Sequence, residues 1–156
     1  MEISIICIYN DQKQLDNCLI KSLRKQSIKY ELILVDGSEK KYESCASALN
    51  YGVSESHGEI LVFTHQDIIL KREKELELFT QYISEMPTGT IVGIAGALEK
   101  NKFNIGNYTS GLRVNEQLIR KISSPIQVSC VDECFFGMKK STYNEHKFNE
   151  FLCDNW

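Results

Sequence analysis

Two side chains that could bind a metal ion follow the most apolar run in the sequence. Residues 58–67 have the sequence GEILVFTHQD, in which His65 and Asp67 end the run, two positions apart. Carboxylates and imidazoles are both ligands of divalent cations, and ligands of open α/β sheets bind beyond the carboxyl ends of the strands. We therefore predict that this stretch is a buried strand that ends at a binding site.

A second carboxylate stands at the end of another apolar run. Residues 31–36, ELILVD, end at Asp36, which is followed at once by Gly37 and Ser38. Asp36 and Asp67 would each also suit a helix N-cap, where aspartate is a preferred residue. On neighbouring parallel strands, however, they would line a crevice that suits a nucleotide. Asp36 would then accept hydrogen bonds from the base or ribose, while a cation at Asp67 would bridge the diphosphate.

The elements that would position these side chains alternate between apolar strands and helical patterns. Such repeated βαβ units imply right-handed crossovers, so the predicted fold class is α/β, with a mostly parallel sheet and helices on both faces. The predicted strands are 3–9, 31–36, 58–67, 91–97 and two segments of 126–138 that flank a kink at 132–133. The predicted helices are 12–26, one that is interrupted or ends at 50–52, and 71–85. Residues 101–113 are expected to form an irregular loop or a loose hairpin.

Length and composition are those of one soluble domain. The 156 residues are 42% hydrophobic and 25% charged, and the formal net charge of -3 argues against nonspecific binding of nucleic acid. Glu2 precedes a short apolar run where a signal peptide would be basic, and no run approaches transmembrane length. We expect a cytoplasmic protein, at most peripheral to the inner face of a membrane. The six scattered cysteines are expected to be reduced and mostly buried.

The segment after the first strand lacks the glycines of the common nucleotide-binding loops. Neither G-x-G-x-x-G nor G-x-x-x-x-G-K-[ST] occurs there, which argues against dinucleotide binding and against a P-loop. Without such a cradle of backbone N–H groups, a diphosphate would need a metal ion.

The chain resembles the nucleotide-binding half of a family-two glycosyltransferase with the GT-A fold. The resemblance is carried by four segments in order, 5–10, 31–38, 48–52 and 58–67, and it continues loosely through 131–132 and 148–150. It implies one Rossmann-like GT-A domain over 1–156, in which 1–100 bind the nucleotide sugar and 101–156 are part of an acceptor-side half.

The resemblance also implies the reaction and its residues. The donor would be a nucleotide-diphosphate sugar, usually a UDP-sugar, and the acceptor a hydroxyl of a glycan or glycolipid in polysaccharide biosynthesis. Asp67 matches the last acid of the metal-binding D-x-D motif, whereas His65 replaces its first aspartate. Histidine suits manganese better than magnesium, so the predicted cofactor is Mn²⁺ or Mg²⁺ held by Asp67 and His65, unless His65 only caps or packs at the strand end. The implied donor-binding residues are Tyr9, Asn10, Asp36, Ser38, Asn50 and Asp67.

An inverting transfer needs a general base that takes the proton of the acceptor hydroxyl. The family supplies a late carboxylate, for which Asp154 is the candidate by position, followed by Asp132 and Glu150. Similar relatives continue past a tryptophan such as Trp156 with further acids, so we expect a chain truncated at its C-terminus that lacks the base. The altered motif and short C-terminus leave an alternative, a noncatalytic nucleotide-binding or interaction module derived from such an enzyme.

Overall fold

Strands and helices alternate along the first part of the chain, as predicted. The computed structural model describes residues 2–38, 41–98, 104–106, 119–120 and 124–151. The strands are β1 Ile3–Tyr9, β2 Glu31–Asp36, β3 Ile60–His65, β4 Val92–Gly93, β5 Ala95–Ala97, β6 Asn104–Gly106, β7 Ile119–Arg120, β8 Cys130–Val131 and β9 Phe135–Lys139. The helices are α1 Gln12–Leu15, α2 Lys21–Leu23, α3 Cys45–Ser54, α4 Glu75–Glu85 and α5 Lys140–Glu145. A π-helical segment, Asp16–Ile20, joins α1 to α2.

The main sheet has five strands in the order β2-β1-β3-β9-β4. β1 pairs in parallel with β2 and β3, whereas β9 pairs antiparallel with β3 and β4. β1 to β4 therefore share one direction and β9 is reversed, which confirms the predicted mostly parallel α/β sheet. Because β1 lies between β2 and β3, the prediction that Asp36 and Asp67 follow neighbouring strands is wrong.

Helices cover both faces of the main sheet, which explains why β1 and β3 are almost continuously apolar. The first face packs on α1, α2 and α4, and the second on α3 and α5. The buried residues of the first face are Ile3, Ile5, Cys7, Leu15, Leu19, Leu23, Ile60, Val62, Leu76, Phe79, Ile83 and Phe135. Those of the second face are Ile6, Val35, Ala48, Val53, Leu61, Phe63, Phe136, Met138 and Tyr143.

The predicted strand 91–97 is divided between two sheets. β4 pairs with β9 in the main sheet, whereas β5 pairs with β6 and β8 in a second sheet of order β7-β6-β5-β8. The crossing is tight at Gly93, where an added Cβ would lie 2.1 Å from Cγ1 of Val131. β6, the described part of the predicted loop 101–113, forms an antiparallel pair with β5, as a hairpin would. The rest of that predicted loop lies outside the described residues.

The second predicted helix does not end at 50–52. α3 continues to Ser54. Gly52 lies where this helix packs on β1, and an added Cβ would come within 2.5 Å of Cγ2 of Ile6. The glycine that suggested a break in the helix therefore serves close packing between helix and sheet.

The third predicted helix begins later than its apolar pattern suggests. α4 spans Glu75–Glu85 rather than starting at residue 71. Near its start, Oε1 of Gln26 accepts a hydrogen bond of 2.9 Å from the backbone N–H of Leu76. A side chain distant in the sequence thus satisfies a donor in the first turn, which helical spacing alone does not reveal.

Two expectations based on composition can be compared with the described residues. No described cysteine forms a disulfide, but the expectation that most are buried is wrong, because Cys7 alone among them is buried and Cys130 is exposed. None of the helices in the described segments is long and apolar enough to cross a membrane.

Glu31 joins three strands at the amino end of the main sheet. Its Oε1 accepts hydrogen bonds from the Ser4 hydroxyl and from the backbone N–H groups of His57, at 2.5 Å, and Gly58, at 3.1 Å. The Gly58 N–H also donates to Oγ of Ser4 at 2.7 Å. Desolvation raises the pKa of Glu31, but the hydrogen bonds from Ser4, His57 and Gly58 outweigh it and lower the pKa from 4.5 to about 2.

Replacing Glu31 by glutamine is expected to lower the free energy of unfolding at pH 7 by about 1–2 kcal/mol, because charge-assisted hydrogen bonds are lost. The lowered pKa in the folded state means that the ionised Glu31 contributes stability above pH 4.5 that is lost as the pH falls toward about 2. Urea unfolding should therefore show a difference between wild type and Glu31→Gln that shrinks over this range. Glu59→Gln, at an exposed neighbour, is the control. A difference independent of pH would contradict the assignment.

Candidate functional site

Several predicted residues meet at the carboxyl edge of β1, β2 and β3. The strand register pairs Tyr9 with Asp36 and Ile8 with His65. Neighbouring strands lie about 4.8 Å apart, so Asp36 and His65 are separated by roughly 10 Å across β1. Asp67 follows His65 in the turn after β3. The structure therefore brings the carboxylates of the two predicted positions to one edge, with Tyr9 between their strands.

Asp36 and Ser38 form one hydrogen-bonded unit at the end of β2. The hydroxyl and the backbone N–H of Ser38 both donate to Oδ1 of Asp36, at 2.6 and 2.8 Å. The Ser38 hydroxyl, and next its N–H, hold the pKa of Asp36 below its ordinary value, and Lys41 contributes to the same effect. Asp36 is exposed and ionised at neutral pH, so its second carboxylate oxygen is available to accept a hydrogen bond from a ligand.

His65 and Asp67 are both exposed, and neither side chain forms a hydrogen bond within the described residues. In the same part of the chain, no group of three or more His, Cys, Asp or Glu side chains is arranged to hold a metal ion. The pair alone is therefore not a complete metal centre. A cation at this pair would need to take its remaining ligands from elsewhere, such as a diphosphate, because Mg²⁺ is commonly held by one or two carboxylates and substrate phosphates.

Asp132 also lies at this edge, beside His65. Cys134, two residues after it, accepts a hydrogen bond of 3.0 Å from the His65 N–H through its carbonyl oxygen. The side chain and the backbone N–H of Cys134 donate to Asp132, and the side-chain bond is the main cause that lowers the pKa of Asp132, with a contribution from His65. A lowered pKa makes a carboxylate a weaker base. The assignment of Asp132 as general base stays a prediction, and Asp154 lies outside the described residues.

Two thiols near the same edge, Cys7 and Cys134, interact electrostatically with Asp67. Cys7 lies on β1 and Cys134 directly precedes β9. Burial is the main cause that raises the pKa of each thiol to about 12. The Asp67 carboxylate contributes to both increases. Asp67 therefore lies within electrostatic range of the ends of two different strands. Both thiols are neutral at physiological pH, which excludes them as thiolate nucleophiles there.

Gln66 was not among the predicted site residues, although its side chain makes four hydrogen bonds at this edge. Its Oε1 accepts hydrogen bonds from the backbone N–H groups of Asn10, at 2.9 Å, and Asp11, at 3.0 Å. Its Nε2 donates to Oδ1 of Asn10 at 2.8 Å and to Oε1 of Gln14 at 3.0 Å. The one signal in the sequence was its place inside the H-Q-D motif.

Asn50 contacts the segment that follows α5. Its Nδ2 donates to the carbonyl oxygen of Phe148 at 3.0 Å and to Oε1 of Glu150 at 2.6 Å. The hydroxyl of Tyr143 donates to Oδ1 of Asn50 at 2.8 Å. Asn50 therefore connects α3 to the C-terminal part of the described chain, and its predicted role in donor binding stays a prediction.

The comparison with protein families decides the identity of this domain. A family model described as "Glycosyltransferase like family" matches residues 4–156. The chain belongs to this glycosyltransferase-like family. The resemblance predicted from the sequence is thereby confirmed. A comparison with curated proteins finds no match.

Solved structures of S. aureus TarS match nearly the whole of this chain. The structure of S. aureus TarS 1-349 aligns with a TM-score of 0.60 and 17% identity over 98% of this chain and 52% of its own. S. aureus TarS itself aligns with a TM-score of 0.57 and 15% identity over 98% and 31%. TarS 1-349 in complex with UDP-GlcNAc aligns with a TM-score of 0.53 and 15% identity over 93% and 47%. These likenesses confirm the predicted GT-A fold, and this glycosyltransferase-like chain spans about half or less of each TarS chain.

Proposed function

We propose that this domain binds a nucleotide-diphosphate sugar, most simply a UDP-sugar, and transfers its sugar with inversion to a hydroxyl of a glycan or glycolipid. The observation that carries the proposal is the strand register, which sets Asp36 and His65 on either side of Tyr9 at one edge. Membership of a glycosyltransferase-like family supports it, as does the likeness to a TarS structure that contains UDP-GlcNAc. A role in polysaccharide biosynthesis and a cytoplasmic location remain predictions from the sequence.

Each residue at the edge has a part in this proposal. Asp36, kept ionised by Ser38, accepts hydrogen bonds from the nucleobase or ribose. His65 and Asp67 would hold a divalent cation, Mn²⁺ or Mg²⁺, and such a cation supplies positive charge that stabilises a departing diphosphate. In the transfer, the acceptor oxygen bonds to the anomeric carbon as the bond from that carbon to the diphosphate breaks, and a carboxylate takes the acceptor proton. Asp132 and Glu150 are the described candidates for that carboxylate, and Asp132 is the one that lies beside His65.

Calorimetry with UDP tests the donor site. We expect wild type to bind UDP, more tightly with millimolar manganese, and Asp36→Asn to bind about tenfold more weakly with or without the metal, because one charge-assisted hydrogen bond is lost. Asp16→Asn, the same change at an exposed helical position, should bind as wild type does. Failure of wild type to bind UDP, or equal affinities of wild type and Asp36→Asn, would contradict the proposal.

A noncatalytic nucleotide-binding module is the second candidate. It is favoured by the observation that, within the described residues, His65 and Asp67 have no third ligand arranged with them. A UDP-sugar hydrolysis assay separates the two. Release of UDP that depends on manganese supports the transferase, whereas UDP binding that is indifferent to manganese, with no release above the buffer rate, supports the module.

A further inference from the structure

Gln66 connects two of the segments that carry proposed donor-binding residues, the turn after β1 with Asn10 and the turn after β3 with Asp67. Its four hydrogen bonds, of 2.8 to 3.0 Å, all reach the turn between β1 and α1 or the first turn of α1. An amide oxygen accepts two hydrogen bonds and an amide nitrogen donates two, so the hydrogen-bonding capacity of this side chain is used completely. A single side chain thus ties the end of β3 to the start of the first helix.

The backbone groups that Gln66 occupies are the ones that bind phosphate in many other α/β proteins. Consecutive N–H groups between a strand and the start of a helix form an anion-binding position. Here the N–H groups of Asn10 and Asp11 both donate to Oε1 of Gln66. With these donors already satisfied by the protein, an incoming diphosphate gains little from approaching this turn. The exposed edge at His65 and Asp67 remains open to it.

The same contacts order the residues on either side. Nε2 of Gln66 donates to Oδ1 of Asn10, which fixes the orientation of that side chain. In sequence Gln66 stands between His65 and Asp67, so the bonds that hold its amide also restrict the turn that carries both. Ordering these groups before a ligand arrives removes an entropic cost that binding would otherwise bear.

We infer that Gln66 is a positioning residue for the nucleotide diphosphate. It fixes the positions of Tyr9 and Asn10 relative to Asp67. It also occupies the N–H groups of the β1–α1 turn, so that the diphosphate is directed to His65 and Asp67 instead. This role rests on the proposed function. Gln66 itself need not touch the donor.

Two variants and one matched control test the inference. Gln66→Met keeps the length of the side chain and removes all four hydrogen bonds. Gln66→Glu keeps an acceptor for the two N–H groups but sets a second oxygen against Oδ1 of Asn10 and Oε1 of Gln14. Gln81→Met is the control, because that amide donates to Glu85 on the same helix, α4. The measurements are hydrogen exchange of the Asn10 and Asp11 amides without ligand, and calorimetric affinity for UDP with manganese.

In Gln66→Met we expect exchange of the Asn10 and Asp11 amides to be at least about tenfold faster and UDP affinity to fall about five- to tenfold. Gln66→Glu should keep slow exchange at these amides, and its UDP affinity should lie between those of wild type and Gln66→Met. Gln81→Met should match wild type in both measurements. A merely structural role would lower the melting temperature of Gln66→Met and leave the UDP affinity of the folded protein unchanged.

Each contrary result has a distinct meaning. Unchanged UDP affinity in Gln66→Met with faster exchange would overturn the positioning role, and unchanged exchange would overturn the hydrogen-bonded connection on which it depends. A wild type that does not bind UDP would refute the proposed function, and the positioning role with it, while the exchange data would still show whether Gln66 holds the turn.

Discussion

Replacing Phe63 by alanine is expected to lower the free energy of unfolding by about 4 kcal/mol, since truncating a buried aromatic side chain removes apolar burial and leaves a cavity. Phe63 has no exposed surface in the middle of β3. Its ring stacks on Phe136 with centroids 4.8 Å apart and meets the ring of Phe148 edge-on at 5.1 Å. A domain of ordinary stability has only about 5–15 kcal/mol in total, so this variant would be close to unfolding.

The same substitution at an exposed ring isolates the effect of burial. The Phe151 side chain is 93% exposed, so Phe151→Ala should change the free energy of unfolding by less than about 0.5 kcal/mol. Urea unfolding followed by far-ultraviolet circular dichroism measures both variants against wild type. Similar losses in the two variants would contradict the packing of β3 described above.

Replacing Asp67 by asparagine is expected to weaken UDP binding in manganese about 30- to 100-fold and to leave binding without metal nearly unchanged, as loss of a metal-site group does. Asparagine keeps the shape of the side chain and removes the negative charge. Asp67 forms no hydrogen bond within the described residues, so its charge is the contribution that the substitution removes. Asp36→Asn, in contrast, should weaken binding in both conditions.

The metal dependence of each variant distinguishes a cation at Asp67 from one held elsewhere. In titrations of UDP at several manganese concentrations, the affinity of wild type and Asp36→Asn for UDP should rise with manganese. The affinity of Asp67→Asn should hardly change. Because Asp67 is exposed, the melting temperature of Asp67→Asn should stay within about 2 °C of wild type. Full tightening by manganese in a well-folded Asp67→Asn would place the cation away from this residue.

The bounds of two strands were predictable to the residue, whereas β3, Ile60–His65, is shorter at both ends than the predicted 58–67. The predicted strand 3–9 coincides with β1, because a strand between two helical layers must be apolar at nearly every position. β2 also has the predicted bounds, although it is an edge strand and its Leu34 is 41% exposed. In both cases a carboxylate, amide or glycine follows the apolar run directly, which marks the end of the strand in the sequence.

The bounds of the helices were less predictable, because residues distant in the sequence contact them. Gly52 resembled a break in α3, but it lies inside that helix where Ile6 of β1 leaves no room for a Cβ. In the first turn of α4, the Leu76 N–H donates to the side chain of Gln26, about fifty positions earlier in the chain. Neither contact has a signature in the local pattern of apolar residues.

The H-Q-D motif at residues 65–67 shows which features of the site the sequence alone could predict and which it could not. The residue types and spacing of His65 and Asp67, with Asp36 and the apolar runs before them, were enough to predict the family, which is confirmed, and to place these side chains at the carboxyl edge of the sheet. Only the tertiary structure decided that β1 separates the two carboxylates, that Asp132 comes to lie beside His65, and that Gln66 holds the turn after β1. Strand order and side-chain partners depend on contacts between residues far apart in the chain, which no local pattern contains.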